Sequence, residues 1–184
     1  VFAVIGSHKK ENNPSVADNQ NNETTAEPTT EEETTTKVPT IEVDLMMIGD
    51  MLMHEGVVKS GLMDDGTYNF DHLYTNIAKD ISSADIKIVN QETILGGSDF
   101  AYTGYPTFNS PWALGDAEVK AGFNIILHAT NHTLDKGLKG VENCLSFWKT
   151  YHPDTTVLGI NETEEDYKNI YCLLYTSPSP RDST

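Results

Sequence analysis

The residues best suited to chemistry in this sequence are Asn131, His132 and Asp135, which follow the apolar run 123–127. A β-branched apolar run that stops at small and polar residues is typical of a buried parallel strand ending at the edge of a sheet. In open α/β sheets, ligands bind at that edge. An amide oxygen and an imidazole, with a carboxylate to orient the ring, suit a metal or phosphate site. The simpler alternative is an Asn-His turn in which Asp135 and Gly137 open a helix.

Two further predicted strands end in side chains of the same kind. Asp50 follows the run 41–48, and Glu92 follows the run 84–89. Parallel strands place their carboxyl ends at one edge of a sheet. The sequence therefore predicts one cluster of metal ligands, formed by Asp50, Glu92, Asn131 and His132.

The chemistry of this cluster is that of a divalent metal site. Carboxylate, carboxamide and imidazole groups together suit Mn²⁺, Zn²⁺, Fe or Mg²⁺, and such ions can activate water at a phosphoryl-like centre. Each residue taken singly has a simpler explanation. Asp50 fits a turn, Glu92 fits a solvated loop acid, and His54 fits an exposed histidine at a helix start more often than a ligand.

Strands and helices alternate along residues 41–171, which predicts an α/β fold with a parallel or mixed sheet. The long segment 93–110, rich in Gly, Ser and Tyr, is predicted to be a functional loop. In chain order, the predicted elements are a strand at 41–48, a helix at 70–83, a strand at 84–89, a helix at 111–121, a strand at 123–128, a helix from 138 to about 151, and a strand at 157–160.

The chain is strongly acidic, which limits its partners. Twelve Lys and Arg residues face 28 Asp and Glu residues, giving a formal net charge of -16. This balance argues against a nucleic-acid partner, because phosphate binding needs a cationic face. The two cysteines, Cys144 and Cys172, are too few for a disulfide framework and lack the partners of a Cys-type zinc site.

The composition of the two ends predicts their roles. Residues 1–10 resemble the end of a signal peptide or membrane anchor, and residues 11–40 a disordered Thr/Glu/Asn-rich linker. Together they predict an extracellular or cell-envelope protein, either membrane-anchored or secreted. Residues 172–184 resemble translated sequencing-adapter read-through and are interpreted as a non-native tail, a natural Ser/Pro-rich tail being the alternative. With no initiator Met, the chain is interpreted as a fragment in which residues 41–171 are the N-terminal part of a domain.

Three motifs carry a resemblance to a known family. They are Ile-Gly-Asp at 48–50, Ile-Val-Asn-Gln-Glu-Thr at 88–93, and the run 121–137, which contains Asn-His-Thr-Leu-Asp-Lys-Gly. They resemble the bacterial capsule-synthesis CapA family, which is associated with poly-γ-glutamate production and looks like a branch of the calcineurin-like metallophosphoesterases. The resemblance covers roughly residues 41–171.

This resemblance implies a four-layer α/β/β/α sandwich with a metal centre between two sheets. The present chain would hold an incomplete version, the first sheet with its flanking helices. By the match, Asp50, Glu92 and Asn131 would bind the metal. His132 would also bind metal and stabilise or protonate the reacting centre, with Asp135 orienting its ring.

The sequence departs from the superfamily pattern at three points. Leu52 stands where a first-motif histidine is expected, and Asn90-Gln91-Glu92 replaces a Gly-Asp pair. The later histidine motifs would lie beyond residue 171. The resemblance therefore implies only about half of the metal site, and we expect the chain alone to be inactive.

Several functions remain open on these observations. The first is a cell-surface protein of capsule synthesis or anchoring, a metal-dependent hydrolase or transferase in its full-length form. The alternatives are a non-catalytic capsule-assembly component and a secreted metal-dependent phosphoesterase. The expected partners are an anionic capsule polymer or a phosphorylated substrate, together with membrane-bound capsule-synthesis proteins.

Overall fold

Four short parallel strands form the central sheet of this protein. The computed structural model describes residues 40–172, so the predictions for residues 1–39 and 173–184 lie outside the described part. The strands pair in chain order, each parallel to the next, and all four carboxyl ends therefore share one edge. They are β1 (Leu45–Ile48), β2 (Ile86–Asn90), β3 (Ile125–Leu127) and β4 (Thr156–Leu158).

Five α-helices and one 3₁₀ helix accompany the sheet, which confirms the predicted α/β class. The 3₁₀ helix covers Asp71–Leu73. The α-helices are α1 (Glu55–Ser60), α2 (Ala78–Ser83), α3 (Ala113–Ala121), α4 (Gly137–Tyr151) and α5 (Glu164–Lys168). Helices α1 and α5 were not expected from the apolar spacing.

The continuous helix expected over residues 70–83 is wrong. The chain instead forms the 3₁₀ helix, a turn over residues 74–77, and then α2. The turn contains Tyr, Thr, Asn and Ile, which are weaker helix formers than Ala, Leu or Lys because they lose rotamer freedom or bond the backbone locally. Apolar spacing alone does not reveal this interruption.

The end of α3 shows how local sequence fixes the boundary of an element. Gly122 adopts φ 107°, in the left-handed region, and its amide bonds the carbonyls of Glu118 and Val119. Glycine tolerates this conformation at a helix end without the penalty that a side chain would bring. The predicted stop of α3 at Gly122 is therefore confirmed.

The hydrophobic core lies between one face of the sheet and the helices. Ile48, Val89 and Ile126 are cross-strand partners or neighbours in register, are buried, and share one cluster with Leu114 and Phe147 of the helices. A sheet whose strands follow chain order, joined by crossovers of the usual right-handed sense, carries all its connections on one face. The sequential strand order thus explains the one-sided core.

The opposite face of the sheet is open at the β1 edge. Leu45 and Met47, which alternate with the core residues of β1, are 59% and 49% exposed. Among residues 40–172, no helix is both long and apolar enough to cross a membrane.

Candidate functional site

The loop after β1 brings Asp50 to the end of β2. Met51 donates its amide hydrogen to the carbonyl of Asn90 at 2.9 Å, which ties the two strand ends together. The side-chain amide of Asn90 donates to Oδ1 of Asp50. In the sequence, Asn90 stands out only as part of the motif at 88–93, yet in the structure it holds the Asp50 carboxylate directly.

Glu92 lies close to Asp50, and both are acids. Burial raises the pKa of the half-buried Glu92 carboxyl, and the nearby Asp50 charge and a hydrogen bond between the two carboxyl groups raise it further. The nearby imidazole rings of His132 and His54 oppose this rise in the pKa of Glu92. Two carboxyl groups this close hold a proton or a cation between them more readily than two separate acids do.

His132 is oriented by Asp135, as its spacing suggests. Nδ1 of His132 lies 2.8 Å from Oδ2 of Asp135, and the amide of Phe108 donates to the same oxygen at 2.7 Å. An amide can only donate, so this oxygen accepts, and the natural partner is an Nδ1–H of the imidazole. That tautomer leaves Nε2 as the free acceptor of the ring. A carboxylate behind an imidazole is the arrangement found behind metal-binding and proton-transferring histidines.

Phe108 packs between two imidazole rings. Its ring meets His132 edge-on with centroids 4.6 Å apart and His54 edge-on with centroids 5.3 Å apart. Phe108 is only 1% exposed, so its ring is held in place by packing and both histidine rings pack against it. Residues 93–110 form the predicted long loop. Phe108 brings that loop into the site.

Thr130 joins the strand-end loops that carry Glu92 and His132. Its hydroxyl donates to the Glu92 carbonyl at 2.7 Å and accepts from the His132 amide at 3.1 Å. The hydroxyl of Thr133 accepts from the Thr130 amide at 3.1 Å, closing the turn. Two neutral hydroxyls thus fix the spacing of the two loops without adding charge to the site.

A buried histidine anchors the end of β3. Nε2 of His128 accepts from Nε1 of Trp148 at 3.0 Å, and its ring also bonds the Gln91 backbone. Complete burial lowers the pKa of His128 to about 3, so the ring is neutral. His128 therefore serves as a neutral, buried hydrogen-bonding group. In the sequence, its position within an apolar run is the feature that indicates this burial.

The structure brings some of the predicted site residues together but not all of them. Asp50, Glu92 and His132 come together, and Asp135 supports His132. Asn131 lies in the same turn but is exposed, and no described residue makes a side-chain hydrogen bond with it. The turn that leads into α4 also matches the simpler interpretation of this segment, so the role of Asn131 as a metal ligand stays a prediction.

The donor groups fit a divalent cation in kind. Two paired carboxyl groups and an amide oxygen are ligands that Mg²⁺ and Mn²⁺ accept, and imidazole extends the set to Zn²⁺ and Fe. Within residues 40–172, however, no three His, Cys, Asp or Glu side chains are arranged around one point as metal ligands. A metal centre at these residues therefore stays a prediction.

Comparison with known proteins identifies the family of this chain. A family model for bacterial capsule synthesis proteins, PGA_cap, matches residues 44–176, which is well over half of the chain. The match includes all the residues of the site, from Asp50 to Asp135. No curated protein matches the chain significantly. This chain therefore belongs to the bacterial capsule synthesis protein family PGA_cap.

Proposed function

We propose that this capsule synthesis protein acts at the cell surface as a metal-dependent hydrolase or transferase on the capsule polymer. The observation that carries the proposal is the pairing of the Asp50 and Glu92 carboxyl groups beside His132, whose ring is oriented by Asp135. A surface with only a structural role would gain nothing from two like charges held together at the end of a sheet.

The chemistry would divide among these residues by type. Asp50 and Glu92 would hold a divalent cation, with Asn131 as a further oxygen ligand. When bound, the cation supplies Lewis acidity and an activated water. His132, whose Nε2 is free to take up a proton, would then donate that proton to the leaving group, while Asp135 keeps Nδ1 protonated.

The charge of the chain bears on the substrate. An anionic polymer such as poly-γ-glutamate, or a phosphorylated precursor, is repelled by a chain of net charge -16. A divalent cation between the two carboxyl groups would neutralise their two negative charges, and its open coordination positions would give the substrate a point of attachment. The proposal thus assigns substrate binding and catalysis to the same ion.

Membership of a capsule synthesis family associates the chain with the cell envelope. We propose that it acts outside the membrane, anchored or secreted, beside membrane-bound capsule-synthesis proteins. The Thr/Glu-rich composition of residues 11–40 suits a tether of this kind.

A non-catalytic role in capsule assembly is the second candidate. It is favoured by one observation, the lack of three converging metal-type side chains within residues 40–172. In that case the acidic pair would bind a cation that bridges the protein to the anionic polymer, with no bond broken.

The experiment that separates these functions uses the full-length protein with Mn²⁺ and two substrates, poly-γ-glutamate and a simple aryl phosphate. Polymer cleavage or transfer that disappears in His132→Ala, but persists in His72→Ala, would support the proposal. Polymer binding without any product would favour the assembly role. Turnover of the phosphate ester alone would favour a secreted phosphoesterase.

A further inference from the structure

Lys136 brings a positive charge to the turn that contains His132 and Asp135. It follows Asp135 directly, immediately precedes α4, and is half-buried. Its ammonium group donates to the carbonyl of Thr107 at 3.1 Å and forms no ion pair with any residue between 40 and 172. An ammonium group has three donor hydrogens, so two of them are available to a ligand.

Most other lysines in the described part of the chain are neutralised by a neighbouring acid. Those that form ion pairs with Asp or Glu are Lys59, Lys120, Lys139, Lys149 and Lys168. Lys79 and Lys87 also lack an ion pair, but Lys79 lies on α2 and Lys87 lies at the amino end of β2. Within residues 40–172, Lys136 is therefore the unpaired lysine that is attached to the site.

A single peptide group fixes Lys136 beside His132. The carbonyl of Thr107 accepts from Lys136. The amide of the same peptide group, that of Phe108, donates to Oδ2 of Asp135 at 2.7 Å. Because the oxygen and nitrogen of one peptide group are close together, Nζ of Lys136 lies no more than about 8 Å from that carboxylate oxygen. Nδ1 of His132 lies 2.8 Å from the same oxygen, so a long substrate bound at His132 can also reach Lys136.

The charge of Lys136 is opposite to that of the proposed substrate. An anionic polymer carries a charged group on each repeat, so a linkage placed beside His132 has further anionic groups close to it along the polymer. An ammonium group binds a carboxylate through charge-assisted hydrogen bonds. Since the chain as a whole carries a net charge of -16, a local positive group is needed to hold such a polymer against this repulsion.

We propose that Lys136 recognises the substrate polymer by binding a carboxylate on a repeat next to the linkage that reacts at His132. This inference rests on the proposed function and adds a contact to the polymer that does not depend on a bound cation. The ammonium lies to one side of His132, so it contacts a neighbouring repeat and takes no part in breaking the bond. Lys136 therefore selects a polymer over a small phosphate ester.

The test is the binding of fluorescently labelled poly-γ-glutamate to the full-length protein with Mn²⁺, at several salt concentrations, together with the KM and kcat for the polymer and for a simple aryl phosphate. Lys136→Gln removes the charge, and Lys136→Arg keeps it. Lys79→Gln is the matched control, because Lys79 is also a lysine without an ion pair among residues 40–172 but lies on α2. Circular dichroism of each variant establishes that the fold is kept.

We expect Lys136→Gln to weaken polymer binding roughly fivefold to tenfold and to raise the KM for the polymer with little change in kcat. Lys136→Arg and Lys79→Gln should bind the polymer like the wild type. Polymer binding should also depend less on salt in Lys136→Gln, because one charge contact is lost.

Equal polymer binding by the wild type and Lys136→Gln would overturn this inference, as would equal losses in Lys136→Gln and Lys136→Arg, which would indicate that Lys136 only holds the Phe108 loop. An equal rise in the KM for the aryl phosphate would assign Lys136 to a phosphoryl group and overturn its role in polymer recognition. Polymer binding that Lys136→Gln weakens, without any product from the wild type, would overturn the proposed catalysis and leave this inference standing.

Discussion

Oδ2 of Asp135 lies 2.8 Å from Nδ1 of His132, and the same oxygen accepts the Phe108 amide at 2.7 Å. One carboxylate oxygen thus fixes both the imidazole and the loop that packs on it. A change at Asp135 is therefore expected to act through His132 and through the position of Phe108.

Asp135→Asn should impair the site while leaving the fold in place. The amide can present a nitrogen to His132, which would favour the wrong tautomer and remove the free acceptor at Nε2. We expect roughly a 10–100-fold loss of polymer turnover, the size of effect usual when a group that orients a functional histidine is removed. The exposed Asp154→Asn is the control, and equal losses in both variants would contradict the orienting role.

Thr130 is expected to stabilise the fold through the hydrogen bonds of its hydroxyl. Thr130→Val leaves the Glu92 carbonyl and the His132 amide without their partner, and an unpaired buried group costs about 1–3 kcal/mol. We expect the free energy of unfolding, measured in urea, to fall by roughly that amount. Thr130→Ser keeps the hydroxyl and should lose much less, so equal losses would rule out the hydrogen bonds as the cause.

Glu118 predicts an unusual pH dependence of stability. Its carboxylate oxygens are fully buried without a hydrogen-bond partner, and burial raises the pKa of Glu118 well above 4.5. The unfolded chain ionises first as pH rises, so the folded state loses stability above about pH 4.5 until the folded pKa is reached. Glu118→Gln should remove this dependence.

The measurement for Glu118 is thermal unfolding between pH 4 and pH 8. The difference in melting temperature between Glu118→Gln and the wild type should move in favour of the variant as pH rises. A difference that stays constant across this range would show that Glu118 does not titrate as described.

His128 predicts a loss of stability toward acid. Its pKa falls from 6.5 to about 3 on burial, so the unfolded chain takes up a proton that the folded chain refuses. The contribution of His128 is present above pH 6.5 and is lost as pH falls from there toward about 3. His128→Gln should flatten the decline in urea midpoint over this range, and an unchanged decline would assign it to other groups.

The sheet and the strand-end positions of Asp50 and Glu92 could be predicted, because apolar runs that end in polar residues are a local signal. The stop of α3 was predictable for the same reason, since Gly122 alone accounts for it. These features depend on periodicity and on residues close in the sequence.

The features that could not be predicted depend on contacts between segments that are distant in the sequence. Phe108 reaches His132 and His54 only through the path of a long loop, and nothing in its neighbours specifies that path. The interruption of the expected helix over residues 70–83 likewise follows from a turn that apolar spacing does not encode. The exposure of Asn131 could not be read from its place beside His132, because a turn can direct adjacent side chains differently.

The most direct test of the account is the pH dependence of Mn²⁺ binding to the full chain, measured by calorimetry. Burial and the Asp50 charge raise the pKa of Glu92, so this carboxyl keeps its proton more tightly than a free acid. Because a cation between Asp50 and Glu92 must displace that proton, we expect affinity to increase with pH until the carboxyl is ionised. Glu92→Gln should lose most of the affinity and its pH dependence, whereas Asp154→Asn should retain both. Mn²⁺ binding that is equally tight in Glu92→Gln would contradict the claim that this carboxyl pair is the metal site.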